Sequence, residues 1–380
     1  MTKIIAAMGA LIASAGVAAA GAIDRANQST AVIFEPGSYV ELSFGHLSPT
    51  VEGTAVPGWG PVLGGKSSGD MYRDYNTGSF SIKTQIREGL DTAFIIDKPY
   101  GADTAYPLGT GYFAQGTTAS LDSTAYTALL KYRFPSNVSL LGGIRYQTLS
   151  AEAYIPFITR NPRVPYAVNG SEEGAWGYVL GIAWEKPEIK ARVSLTYNSA
   201  IDYSLPTTET APVSQTAATA VATQSTTETT TPQSVNLEFQ SGVAKNTLVY
   251  GSIRWVDWSE FQVNPPVYAS VARSPLVSYD GDVTTYTIGA AYKFNDSWTG
   301  TVTYAYDTPI GGYSLNLGPV DGYNSIGLAA IYTYDSLKIT AGVRYLALGD
   351  TQTKVGALAP AANFDGNSAV TFGLRIGYSF

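Results

Sequence analysis

A single histidine, His46, and the absence of cysteine restrict the chemistry open to this chain of 380 residues. A serine–histidine dyad would have to use His46 as its base. That residue falls in phase with Val40, Leu42 and Phe44 of an alternating segment, so it is expected on an outward face or at an interface, where a proton shuttle is poorly placed. Without thiols there is no cysteine catalysis, disulfide scaffold or thiolate zinc site. Asp280-Gly281-Asp282 reads as a hairpin turn rather than a calcium loop, and no phosphate loop, dinucleotide fingerprint or metal-ligand cluster occurs. The expectation is a protein that is not an enzyme and needs no cofactor and no metal. A net charge of −7 argues against nucleic acid as a partner.

The elements must then be read from composition and period. Charged residues make up 14% of the chain, against about 25% in a typical soluble domain. Mean hydropathy is nevertheless near zero at +0.01, and Tyr (27) and Gly (39) are abundant, which suits a chain with one apolar and one polar face. Lys3, the apolar run from Ile4 to Ala20 and the closing Ala18-Ala19-Ala20 predict a secretory signal peptide over 1–20, with Gly21 as the new N-terminus. Beyond it no apolar run approaches the roughly 18 residues of a spanning helix. A membrane protein of this kind must be a barrel, because only helices and closed barrels satisfy the backbone in lipid.

Period two dominates the chain. Val370, Phe372, Leu374, Ile376, Tyr378 and Phe380 share one face, while Thr371, Gly373, Arg375, Gly377 and Ser379 share the other. The same alternation recurs at Ile339–Tyr345, Ile326–Tyr332, Tyr286–Phe294, Trp176–Trp184 and Tyr126–Phe134. Such long, strict alternation with terminal aromatics is the pattern of transmembrane β-strands. Short turns at 134–137, 185–188, 244–246, 295–297 and 335–336 alternate with long connections. We therefore expect an all-β antiparallel transmembrane barrel of about fourteen strands over 37–380, with short periplasmic turns and long external loops. Eleven of the 27 residues from Pro206 to Pro232 are Thr and none is aromatic, so this stretch is expected to be a mobile external loop. The closing Phe380 resembles the C-terminal signal read by the barrel-assembly machinery.

Placing the apolar face against lipid turns a set of bases inward: Lys83, Arg87, Lys131, Arg133, Arg145, Lys190, Arg192, Lys293, Lys338, Arg344 and Arg375. Two readings stay open. They form a ladder that attracts an anionic head group, or they pair with internal acids and fill a polar lumen.

Thr231-Pro232-Gln233-Ser234-Val235-Asn236-Leu237, then Asn246-Thr247-Leu248-Val249-Tyr250 and Trp255-Val256-Asp257-Trp258-Ser259-Glu260-Phe261, resemble a strand–turn–strand of the FadL/TodX-type outer-membrane transporters. Asn295-Asp296-Ser297-Trp298 and Tyr306-Asp307-Thr308-Pro309 continue in the family's order. The resemblance implies a fourteen-stranded barrel in the outer membrane of a Gram-negative bacterium, an N-terminal hatch inside it, and passive passage of long-chain fatty acids or other hydrophobic compounds. Here the hatch is shortened to 21–36. The family's Asn-Pro-Ala motif is replaced by Ser29-Thr30-Ala31-Val32-Ile33-Phe34, and no family carboxylate-binding residue maps onto a particular position. A kinked third strand opens the barrel wall in the family, and Pro99-Tyr100-Gly101 is the matching candidate. The competing reading is that the strand simply ends there.

On the transporter reading, apolar residues between Tyr154 and Tyr166 are the capture candidates: Ile155, Phe157, Ile158 and Val164. Expected partners are a hydrophobic small molecule, outer-membrane lipid and lipopolysaccharide, with the barrel as a monomer. The alternative function is a general or small-solute diffusion porin.

Overall fold

Fourteen antiparallel strands close into one barrel. The computed structural model describes residues 23–380 apart from 58–63, 157, 160–162, 215 and 356–357. The expected signal segment at 1–20, the first two hatch residues and Phe157 thus lie outside the described residues. The strands are β1 (Tyr39–Thr50), β2 (Tyr75–Arg87), β3 in two parts (Leu90–Asp97 and Gly101–Ala105), β4 (Thr118–Arg133), β5 (Val138–Ile155), β6 (Tyr166–Lys186) and β7 in two parts (Ala191–Asn198 and Ile201–Pro212). There follow β8 in two parts (Ala220–Thr231 and Ser234–Ala244), β9 (Thr247–Val256), β10 (Val283–Lys293), β11 (Trp298–Asp307), β12 (Tyr323–Tyr334), β13 (Leu337–Leu348) and β14 (Ser368–Ser379). The barrel closes where β1 pairs with β14, from Tyr39↔Ser379 to Thr50↔Ser368.

The alternation does what the sequence expects of it. Leu42, Phe44, Leu374, Ile376, Leu328 and Tyr304 are exposed on the outer wall, which is the lipid-facing band. Glu41, Ser43, Lys83, Thr127, Arg145, Thr371 and Lys338 are buried on the inner face. His46 points outward, with Nδ1 3.0 Å from Asn76 Oδ1. Phe380 ends the outer face, exposed, while its N–H donates to the Ser38 carbonyl.

The threonine-rich stretch is not a mobile loop. It forms the upper halves of β7 and β8, paired throughout from Ile201↔Thr231 to Pro212↔Ala220. Composition misleads here because Thr is β-branched and suits a strand as well as a polar surface. Alternation persists in the hairpin: Tyr203, Leu205, Thr207 and Glu209 are buried, with Ser204 and Pro206 exposed and Thr208 half-buried between them. The hairpin carries the wall above the lipid-facing band, which is why its outer face is Thr, Ser, Gln and Glu instead of Leu and Tyr. The break between the two halves of β8 falls at Pro232, which has no N–H to give the ladder.

External connections fold over the barrel. Strands Gly53–Ala55, Tyr313–Leu315, Thr351–Val355 and Leu358–Phe364 make a small sheet. Its Phe364 shares an apolar cluster with Met71, Tyr106 and Tyr112, all 2% exposed or less. Burying each such side chain contributes about 1.5–3 kcal/mol. The connection from β9 to β10 contains the short helix α1 (Pro266–Ala272). The buried Glu209 carboxylate accepts the N–H groups of Val267 (3.0 Å) and Tyr268 (2.8 Å), the Tyr166 hydroxyl (3.0 Å) and the Ser225 hydroxyl (2.8 Å).

One carboxylate therefore ties an external loop to the hairpin. Removing it leaves buried N–H donors unpaired, at about 1–3 kcal/mol for each group. Glu209→Ala is expected to expose the β9–β10 connection to limited proteolysis while leaving the heat-modifiable gel shift of the folded barrel unchanged. Equal protease resistance in the two proteins would contradict this role.

Candidate channel and wall opening

The external loops enclose an apolar pocket with room of about 100 Å³ for the centres of water-sized molecules. Leu205 comes from the hairpin, Phe261, Val263, Leu276 and Tyr279 from the β9–β10 connection, and Ile310 from the β11–β12 connection. Ile23 of the hatch forms part of its lining. Hairpin, external connections and hatch thus converge on a surface that offers few hydrogen bonds. Burial pushes the Tyr279 phenol up, which keeps it neutral at any physiological pH. Among the described residues the one cationic side chain lining the pocket, Lys354, lies 3.2 Å from Asp280, and Glu152 and Asp321 add further acid.

Trp258 connects this pocket to the third strand. It is 1% exposed and packs against Phe261 (5.7 Å between ring centroids), Tyr279 (5.2 Å) and Tyr100 (5.8 Å). The Trp-x-x-Phe element of the sequence therefore forms the aromatic partition between pocket and kink. Tyr100 reaches inward far enough for its hydroxyl to donate to the Pro232 carbonyl of β8 at 3.3 Å.

The third strand does not end at Pro99; it breaks and resumes. Asp97 faces Ala125 of β4, yet Gly101 faces Asp122, so Lys98, Pro99 and Tyr100 stand opposite only Ser123 and Thr124. This is a bulge, and proline fits it because the residue cannot donate to a ladder. Ser123 replaces the missing pairs by accepting from the Tyr100 N–H (2.8 Å) and donating to its carbonyl (2.7 Å). On the other side, β2 and β3 pair from Arg87↔Leu90 up to Phe80↔Ile96 and meet again at the bridge Tyr72↔Thr104. Among the described residues no pairing joins the two strands between those levels. The backbone of Pro99–Gly101 is paired with the hatch instead: the Arg25 N–H donates to the Pro99 carbonyl (2.7 Å) and the Gly101 N–H to the Ile23 carbonyl (2.8 Å).

From that attachment the hatch crosses the lumen. Asp24 meets Arg254 of β9 at 2.8 Å, both side chains 6% exposed or less. Ser29 donates to Glu238 (3.2 Å), and Asn236 donates to the Asn27 carbonyl (3.1 Å). The short 3₁₀ turn Ala31–Phe34 sets the Phe34 ring between Arg192 (4.4 Å) and Lys131 (4.8 Å), and Glu35 meets Lys338 at 3.1 Å.

The inward bases are engaged with neighbours. Lys83 and Lys131 share Asp91 at 2.6 and 3.1 Å, Arg145 donates to Thr127 (2.9 Å), and Arg375 donates to Ser43 (3.0 Å) with Glu41 at 3.9 Å. Arg133 reaches Asn137 at a periplasmic turn (2.7 Å), and Arg344 lines a polar lumen cavity beside the hatch. Lys293 is bonded to Asp296 in another turn, which holds the Asp296 carboxyl below its ordinary value. The bases do not converge on one site. Strand phase missed Asp91 and Asp97 because alternation around the third strand is poor, and it missed Asp24 and Glu35 because they lie on the hatch.

The capture candidates among the described residues, Ile155, Ile158 and Val164, sit beside the pocket and do not line it. Ile155 and Ile158 pack in the apolar cluster around Tyr166, Val168 and Leu276, and Val164 is buried with its carbonyl accepting from Ile158 N–H. The lining residues Phe261, Val263, Leu276 and Tyr279 fall in a connection without periodicity. The Trp-x-x-Phe element was the one signal pointing to them.

A closed antiparallel barrel with an internal N-terminal plug and a broken wall strand defines a passive channel. Residues 9–380 match the model of the outer membrane protein transport protein family, OMPP1/FadL/TodX. The chain belongs to this family of outer-membrane channels for hydrophobic compounds, whose members are not enzymes. Its fold is similar to a Pseudomonas aeruginosa FadL homologue (15% identity, TM-score 0.74, 92% of each chain). It is also similar to the Pseudomonas putida toluene transporter TodX (13%, 0.63, 91% of this chain and 90% of that one) and the Ralstonia pickettii toluene transporter TbuX (12%, 0.61, 90% of each). No curated protein matches the sequence.

Breaking the Asp24–Arg254 pair leaves a buried charge uncompensated, about 3–5 kcal/mol of local destabilisation. Because the chain has no cysteine, Ala26→Cys reports hatch position alone. Adding Asp24→Asn is expected to raise its labelling by a water-soluble maleimide at least tenfold. Unchanged labelling would show that other contacts hold the hatch.

Proposed function

We propose that this channel carries neutral hydrophobic compounds from the external pocket, past the aromatic partition, and out sideways through the unpaired stretch of wall between β2 and β3. The observation that carries this reading is the pairing of Pro99–Gly101 with the hatch, which leaves β2 without a partner there. An apolar solute gains about 0.8 kcal/mol per CH₂ on leaving water, and the lipid next to the wall offers the same gain at the end of the route. An exit into aqueous periplasm would forfeit it.

Charge at the pocket favours neutral substrates over long-chain fatty acids. A carboxylate entering there meets Asp280, Asp321 and Glu152, and Lys354 is already paired. The porin alternative is less well supported, because the hatch and its ion pairs occupy the lumen.

Two tests follow. Cells carrying the channel should take up labelled toluene at least five times faster than a deletion strain, with a smaller gain for oleate; the reverse ranking would restore the fatty-acid reading. Extending the β2–β3 register across the opening sets Gly78 opposite Lys98. Oxidised Gly78→Cys/Lys98→Cys should lose most uptake and regain it on reduction, while full uptake when cross-linked would place the exit elsewhere. In planar bilayers we expect little steady conductance, in contrast to a porin.

A further inference from the structure

The opening in the hydrogen-bond ladder is not an open hole, because one side chain fills it. The Arg25 guanidinium lies 4.0 Å from the centroid of the Tyr75 ring on β2 and against the backbone of Gly101 on β3. These two residues flank the stretch where β2 and β3 do not pair. Gly101 is what makes room: a β-carbon there would collide with the guanidinium carbon and two of its nitrogens. Arg25 is 6% exposed, and its Nε has no hydrogen-bond partner among the described residues. A buried guanidinium N–H without an acceptor is costly, so this placement is not that of an ordinary structural arginine. A polar cavity begins at Arg25 and is bounded by Gly78 and Lys98, on either side of the same stretch, and by outward-facing Phe44.

We propose that Arg25 is the bolt of the wall opening, and that the space it vacates sets the largest cross-section that can leave the barrel. The inference rests on the sideways exit proposed above. The bolt is held by contacts of modest strength. A cation over an aromatic ring contributes about 0.5–2 kcal/mol, and the unpartnered Nε opposes the placement. A passing solute can therefore displace the side chain without detaching the hatch, whose Asp24–Arg254 pair lies one residue away. An aromatic solute can replace the Tyr75 ring as the surface under the guanidinium while it passes.

The test compares uptake of toluene and the wider naphthalene in the full-length protein and its variants, each checked for the heat-modifiable shift of a folded barrel. Arg25→Ala should raise naphthalene uptake at least threefold with less change for toluene. Arg25→Lys, which keeps charge without the flat stacking group, should fall between. Gly101→Ala should displace the guanidinium and raise naphthalene uptake, and should add nothing in the Arg25→Ala background. In the oxidised Gly78→Cys/Lys98→Cys background the gain from Arg25→Ala should disappear. If the cross-link abolishes uptake but Arg25→Ala leaves the naphthalene-to-toluene ratio unchanged, the bolt is wrong and the sideways exit stands. Uptake unaffected by the cross-link would overturn both.

Discussion

Everything in this molecule depends on one constraint: backbone N–H and C=O groups within a bilayer must find partners inside the protein. Most of the wall meets it with antiparallel ladders, although the β3–β4 ladder bulges at Pro99 and the β6–β7 ladder breaks between Val179↔Asn198 and Gly170↔Thr207. At the β2–β3 seam two backbone groups, the Pro99 carbonyl and the Gly101 N–H, are satisfied by Arg25 and Ile23 of the hatch. The plug is thus also a surrogate strand edge. The discontinuity in the wall and the internal position of the N-terminus are one solution to one accounting problem.

The same economy runs through the charges. Burying lysine or arginine inside a barrel requires a counter-charge, and here the hatch provides much of it: Asp24 for Arg254 and Glu35 for Lys338. Strand-borne acids cover the rest, with Asp91 serving both Lys83 and Lys131.

The barrel was legible in the sequence because a two-faced wall writes its period directly into residue order, as Val370 to Phe380 shows. Tertiary roles that do not repeat were harder to see. The upper halves of β7 and β8 read as a mobile loop because they leave the lipid and so lose the apolar face on which the pattern was being followed. Thr is common to loops and strands, and only the inward series Tyr203, Leu205, Thr207 and Glu209 could have corrected that reading. The kink at Pro99-Tyr100-Gly101 was visible because proline and glycine carry strong backbone constraints. Arg25 was invisible, since nothing local distinguishes an arginine that packs on a ring fifty residues ahead. The pocket was half visible: Trp258 and Phe261 stood out as a motif, whereas Val263, Leu276 and Tyr279 owe their place to a loop folded back by Glu209.

The turn at Gly37 joins the hatch to β1, and β1 is the strand that meets β14. Gly37 has a φ of +63°, a conformation natural to glycine, and Lys83 Nζ donates to its carbonyl at 2.6 Å. The plug therefore starts two residues from the seam at which the cylinder shuts. A segment tethered there does not have to be threaded into a finished barrel. It enters the lumen directly beside the strand pair that closes the wall, so the plug and the closing seam share one end of the chain.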